Sequence, residues 1–233
     1  MEPRYILHYA PDNASLVIRL ALEEMALPYD TTLVDRRAQA QDGPAYRALN
    51  PNGLIPVLET PDGPVFETAA ILLWLADQHG AMAPAAESSD RAGFLKWLFF
   101  ASNTLHADLR ILFYAKKYIG DDPSHQSALR AGICERLKTY LKNLDAACGT
   151  PWLGGEDLSV LDIYLACQLR WMRLYPATYD RSWFELDHYP ALRSICAKLE
   201  TRASAQTALI AEGLGPQPFT NPSYANPPEG SAT

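Results

Sequence analysis

The 233-residue chain is 48% hydrophobic and 20% charged, the make-up of an ordinary globular protein with room for one large or two small domains. A net charge of −7 without a clustered basic face argues against a nucleic-acid partner, and no apolar run is long enough to span a bilayer, so no membrane partner is expected. Cys134, Cys148, Cys167 and Cys196 are widely spaced, with no C-x-x-C and no His at ligand spacing, so reduced, packed thiols of a cytoplasmic protein and no metal are expected.

Residues 1–4 lead straight into a strand pattern, and no signal peptide is expected. Tyr5–Tyr9 is that strand. After the breaker Pro11-Asp12-Asn13, residues 15–25 carry Leu16, Val17, Leu20 and Ala21 on one helical stripe. Pro28 ends the helix, residues 31–34 give a second strand, and Pro44–Leu49 reads as a short helix. The stretch 50–71, NPNGLIPVLETPDGPVFETAAI, follows. An X-Pro bond is where a cis peptide is cheap, and a cis Ile55-Pro56 would turn the N–H and C=O of Ile55 outward to receive an extended peptide by strand addition. Val57-Leu58-Glu59, the Asp62-Gly63 turn and Val65-Phe66 read as a β-hairpin. Thr68 is the expected N-cap of a helix over 69–79 stopped by Gly80, and the start of that helix attracts a carboxylate. A backbone hook and an anion hook a few residues apart suit a small acidic peptide.

Residues 83–89 (APAAESS) form a polar linker, beyond which strand signals vanish. A long helix is expected over 90–119, closed by Gly120, and another over 124–148 with Leu129, Ile133, Leu137, Leu141 and Leu144 on one stripe. Ser159 and Asp162 have the spacing of a capping box opening Val160–Leu174. Helices over 189–203 and 205–212 complete a bundle. The tail 213–233, dense in Pro, Gly, Asn and Ser, reads as lacking regular structure.

The stretch from Asn50 to Thr68 resembles the glutathione-binding half of the cytosolic glutathione transferases, of a bacterial, beta-like type without the class cysteine. Asn50, Pro51, Gly53, Ile55 and Pro56 match the family's Asn-Pro-x-Gly-x-(Val/Ile)-Pro loop, and Glu67-Thr68 its (Glu/Gln)-(Ser/Thr) pair. In the second half, Ser159/Asp162 and Tyr189, Pro190, Leu192 and Arg202 match late helix features that serve folding. The resemblance implies an α/β plus all-α chain: a thioredoxin-like domain over 1–82, a helical domain over 90–212 carrying much of an electrophile pocket, and then the tail. It implies glutathione as co-substrate, bound by Ile55, Pro56, Glu67 and Thr68, a small hydrophobic electrophile, and a homodimer.

A free thiol is mostly protonated at neutral pH, so a transferase must stabilise the thiolate. The expected place is the end of strand one and the start of helix one. Three donors stay open there: Ser15, Tyr9 and Asn13. Ser15 is equally a common helix cap, Tyr9 a strand aromatic and Asn13 a turn residue. Ala14 stands where relatives carry a reactive cysteine. The electrophile pocket is expected between the domains, with His106, Phe113 and Trp171 in its wall, and each of these is equally readable as core or structural. Thiolate attack on a soft electrophile is the leading reading. A catalytically weak binding or interaction module on the same fold is the alternative.

Overall fold

The computed structural model describes residues 5–232, so the reading of residues 1–4 as a direct lead into strand one lies outside it. Four strands, β1 Tyr5–Tyr9, β2 Tyr29–Leu33, β3 Val57–Thr60 and β4 Gly63–Phe66, form one sheet in the order β2-β1-β3-β4. Strands β1 and β2 are parallel, with Leu7 opposite Thr31; β3 runs antiparallel to β1, with Leu58 opposite Leu7, and pairs antiparallel with β4. The period-two alternation of β1 sends Tyr5 toward Trp74 and His79 and turns His8 to the other face, against Tyr46. Helices α1 (Ser15–Glu24) and α3 (Thr68–His79) therefore cover one face, and α2 (Pro44–Leu49) the other. This is a thioredoxin-like N-terminal domain followed by a helical C-terminal domain.

The second strand starts at Tyr29 rather than Thr31, because Tyr29 pairs with Tyr5 directly after Pro28 and anchors its hydroxyl on Glu23 at 2.6 Å. Thr68 is the first residue of α3 and makes no side-chain cap; the preceding Glu67 instead turns the chain with φ 72°. The helix expected over 90–119 is three pieces: α4 (Arg91–Phe100), α5 (Ala107–Phe113) and α6 (Ala115–Ile119). A wide π-type turn over Ala101–His106 joins α4 to α5, and the chain bends at Tyr114. The carbonyl of Ala101 in that turn accepts from the buried Gln168 amide at 3.0 Å, while Leu98, Leu105, Leu109 and Leu112 all stay in the core. Periodicity reports the buried stripe, which is continuous, and not the local winding.

Helix α7 (Pro123–Ala147) starts one residue earlier than expected, capped by Asp122, whose carboxylate accepts from the N–H groups of Ser124 and His125. Helix α8 (Val160–Leu174) opens with the Ser159–Asp162 capping box and is buried over almost its whole length. Helix α9 (Pro190–Glu200) stops short of residue 203, where Arg202 leaves the helix to pair with Glu24 at 2.8 Å; α10 (Ala203–Glu212) begins two residues before 205. The N-terminal domain docks on the helical one through α1, against α8 and α10.

The tail after Glu212 has no helix or strand over the described residues, yet Leu214 and Phe219 are buried. Arg170 donates to the carbonyls of Pro218 and Ser223 at 2.9 and 3.0 Å, and the Tyr224 hydroxyl donates to the Leu174 carbonyl at 3.0 Å. Gly213 turns the chain into this path at φ 63°, where a Cβ would lie 2.0 Å from the Asn226 carbonyl oxygen.

Candidate functional site

The loop before β3 is held by side chains that copy backbone hydrogen bonds. The Asn50 amide donates to the Leu54 carbonyl at 2.8 Å and accepts from the Asn52 N–H at 3.0 Å, and the Tyr46 hydroxyl donates to the same carbonyl at 2.8 Å. Gly53, at φ 63°, has the Gln41 carbonyl 2.9 Å from where a Cβ would stand. The Ile55–Pro56 peptide is cis, as is Tyr175–Pro176. The β1–β3 ladder ends at the His8–Val57 pair, which leaves Ile55 half-buried two residues beyond it, with Pro56 buried behind. Across the hairpin, Glu67 is exposed and Thr68 is 6% exposed at the start of α3.

The end of β1, the loop after it and the start of α1 carry the three candidate sulfur donors. Ser15 is fully buried, and its hydroxyl donates to the Ala10 carbonyl at 3.0 Å while accepting from the Ala10 N–H at 3.2 Å. Tyr9 is also buried: its ring lies beneath the Arg19 guanidinium, and its hydroxyl donates to the Glu229 carboxylate of the tail. Burial first, and that carboxylate second, push the Tyr9 phenol well above its ordinary pKa. Asn13 is half-buried, and its side-chain oxygen accepts from the Ala14 N–H at 2.8 Å as α1 begins.

The helical domain carries the remaining candidates. His106 ends the π-type turn; its Nδ1 lies 2.7 Å from the Tyr164 hydroxyl, and its ring centroid is 5.5 Å from that of Trp171. Part of the imidazole surface still meets solvent, but the surrounding packing disfavours the imidazolium and, with Arg110 adding to it, lowers the pKa to about 4. His106 is thus a neutral imidazole at physiological pH. Trp171 is buried, with its indole N–H donating to Asp12 at 3.1 Å. Phe113 is half-buried, edge-on to Tyr175 with ring centroids 6.2 Å apart. Burial, chiefly, keeps the Tyr164 phenol protonated.

Sequence reasoning missed Asp12, Arg170 and Tyr164. Asp12 was read only as part of a turn. Arg170, between Leu169 and Trp171 in an apolar helix, carried a usable signal, since a charge on a buried face demands a partner.

Comparison with known proteins follows the same division. Residues 14–78 match the model of the glutathione S-transferase N-terminal domain, and residues 127–205 match that of the C-terminal domain. A sphingomonad glutathione S-transferase solved in complex with glutathione is 31% identical, superposes with a TM-score of 0.72, and shares 90% of this chain and 100% of its own. The chain belongs to the glutathione S-transferase family. It is also 29% identical to glutathione S-transferase GST-4.5 of Xanthomonas campestris, over 89% of this chain and 98% of the relative. A further 29% match is disulfide-bond oxidoreductase YfcG of Escherichia coli, over 90% and 96%. The first matched segment runs from just before α1 to the last turn of α3, and the second from within α7 to the start of α10.

Proposed function

We propose that this glutathione S-transferase family member binds glutathione in residues 1–82 and activates its thiol at the start of α1 for attack on a soft, apolar electrophile. The electrophile then lies against the helical domain, residues 90–212. What supports this reading is that one sheet domain carries the half-buried Ile55 just past the end of the ladder, the exposed Glu67 with Thr68 opening α3, and the start of α1 directly after β1. Ile55 takes the cysteinyl backbone of glutathione by strand addition, Pro56 shapes its loop, and Glu67 with Thr68 takes the γ-glutamyl end. The thiol gives its proton to solvent and the thiolate forms a C–S bond. The carbon then either expels a leaving group with its electron pair or, in an addition, takes a proton at the neighbouring atom.

Of the three sulfur donors, Asn13 is favoured. Ser15 is fully buried and Tyr9 is buried against Glu229, whereas Asn13 is partly exposed just before α1. His106, Phe113 and Trp171 line the electrophile side, with His106 neutral. Four unbridged thiols suit the reducing cytoplasm, with Cys134 raised to about 11 and Cys148 to about 12 by burial. A homodimer would cover the exposed Phe99 on α4.

A second reading is glutathione-dependent disulfide reduction, in which two glutathione thiols are oxidised to one disulfide as a substrate disulfide becomes two thiols. The likeness to the E. coli oxidoreductase favours it, while Ala14 in the place of the family cysteine speaks against a mixed disulfide with the enzyme itself. Ultraviolet titration of the bound thiol, with 1-chloro-2,4-dinitrobenzene and a small disulfide as alternative second substrates, tests both. A lowered thiol pKa that returns to normal in Asn13→Ala supports the assignment. An ordinary thiol pKa in the wild type overturns thiol activation, and turnover of the disulfide alone transfers the protein to the second reading.

A further inference from the structure

Asp12 is a turn residue buried at the junction of the two domains, 1% exposed, with its backbone in the left-handed region at φ 50°. Among the described residues, its carboxylate accepts from Arg170 Nε and Nη2 at 2.8 and 2.9 Å, from Trp171 Nε1 at 3.1 Å and from the Tyr175 hydroxyl at 2.8 Å. Its N–H donates to the fully buried Glu212 at 2.8 Å. Arg170 cannot swing away, because its outer nitrogens are spent on the tail carbonyls of Pro218 and Ser223. The turn is therefore fixed against α8 at a single orientation, directly before Asn13. On the other side, the Trp171 indole held by this carboxylate packs against His106, whose Nδ1 meets Tyr164.

We propose that Asp12 is a positioning residue for the transferase reaction, fixing with one carboxylate both the turn that carries Asn13 and, through Trp171, the seat of His106. The inference rests on the reading that a glutathione thiol is activated at the start of α1. A buried ion pair that served folding alone would stabilise the junction without affecting the sulfur. The Asp12 carboxylate, however, binds the Trp171 indole that packs against His106, and it adjoins the candidate sulfur donor in sequence.

Asp12→Asn alone leaves the Arg170 charge buried without its partner and can fail to fold. The test therefore uses Asp12→Asn/Arg170→Gln, which removes both charges and keeps a polar side chain at each position, and Tyr175→Phe, which removes one donor. Three quantities are read: the melting temperature, kcat and KM for glutathione, and the pKa of the bound thiol. The double variant is expected to stay folded and keep KM for glutathione within about threefold, because Ile55 and Glu67 are untouched. Its kcat should fall about tenfold or more, and its bound thiol pKa should rise by about one unit. Tyr175→Phe should move both in the same direction by less. A lower melting temperature with kcat and thiol pKa unchanged would make the pair purely structural and overturn the proposal. If wild-type glutathione titrates as an ordinary thiol, the activation reading fails on its own. The Trp171 indole and His106 imidazole resonances then decide: displacement of both in the double variant upholds the geometric role of Asp12, and unmoved signals reject it.

Discussion

The His106 imidazole shares its Nδ1 with the Tyr164 hydroxyl and lies against the Trp171 ring, in surroundings that hold its pKa at about 4 against an ordinary 6.5. Between those two values the unfolded chain takes up a proton that the folded chain refuses. Stability therefore falls as pH drops through this window, and the contribution is flat above it. The cost is on the order of 2 kcal/mol by pH 4, less than the full shift implies because part of the ring meets solvent. Other buried acids have slopes of their own: Glu212 and Asp162 are both raised, chiefly by burial, and work in the opposite sense. The expected outcome is thus a difference. Urea unfolding of wild type and His106→Gln at pH 7.5 and at 4.5 should give curves that converge toward the acid end. Parallel pH dependences in the two proteins would mean that His106 already titrates normally. A neutral His106 can accept or donate one hydrogen bond at Nε2 but brings no positive charge to a thiolate.

At the scale of single elements, most of what the chain does was legible, and the exceptions share a cause. The loop 50–56 and the hairpin were readable because Pro56, Gly53 and Asp62-Gly63 act within a few residues of themselves. The cap of α8 was readable for the same reason: the Ser159 hydroxyl accepts from the Asp162 N–H at 3.1 Å and the Asp162 carboxylate from the Ser159 N–H at 3.0 Å. The π-type turn at Ala101–His106 was not, since its Ala101 carbonyl is held by Gln168, 67 residues on. Nor was the commitment of Tyr9 to Glu229, two partners at opposite ends of the chain. Ser159 also donates to the Trp152 carbonyl at 3.0 Å and is fully buried, so Ser159→Ala removes a cap and orphans a carbonyl together. A loss of about 2 kcal/mol is expected in denaturant unfolding, with glutathione affinity of the folded fraction unchanged. A loss under about 0.5 kcal/mol would mean that the α8 start is held by its packing alone.

For the whole molecule, the tail is the feature least predictable from composition. Its Pro and Gly content suggests a loose segment, yet it supplies acceptors that Arg170 has nowhere else to find, and it buries Leu214 and Phe219. It also brings Glu229 to Tyr9, where a carboxylate would compete with any thiolate for the phenolic proton. Two separable outcomes follow. Ending the chain at residue 212 should strip the Pro218 and Ser223 carbonyls from a fully buried guanidinium and uncover two apolar side chains. A fall in melting temperature of about 10 °C or more is expected, with the α8–α1 junction loosened first, as amide exchange at Trp171 and Asp12 would record. Glu229→Gln keeps the tail and its Arg170 contacts while removing one charge. That variant should melt within a few degrees of wild type, and its Tyr9 phenol should ionise at lower pH because the carboxylate that opposes ionisation is gone. If Tyr9 is only a packed aromatic, transferase activity will not change in Glu229→Gln. A rise in kcat in that variant would show that the tail normally withholds the Tyr9 hydroxyl from sulfur, and would return Tyr9 to the reacting set ahead of Asn13.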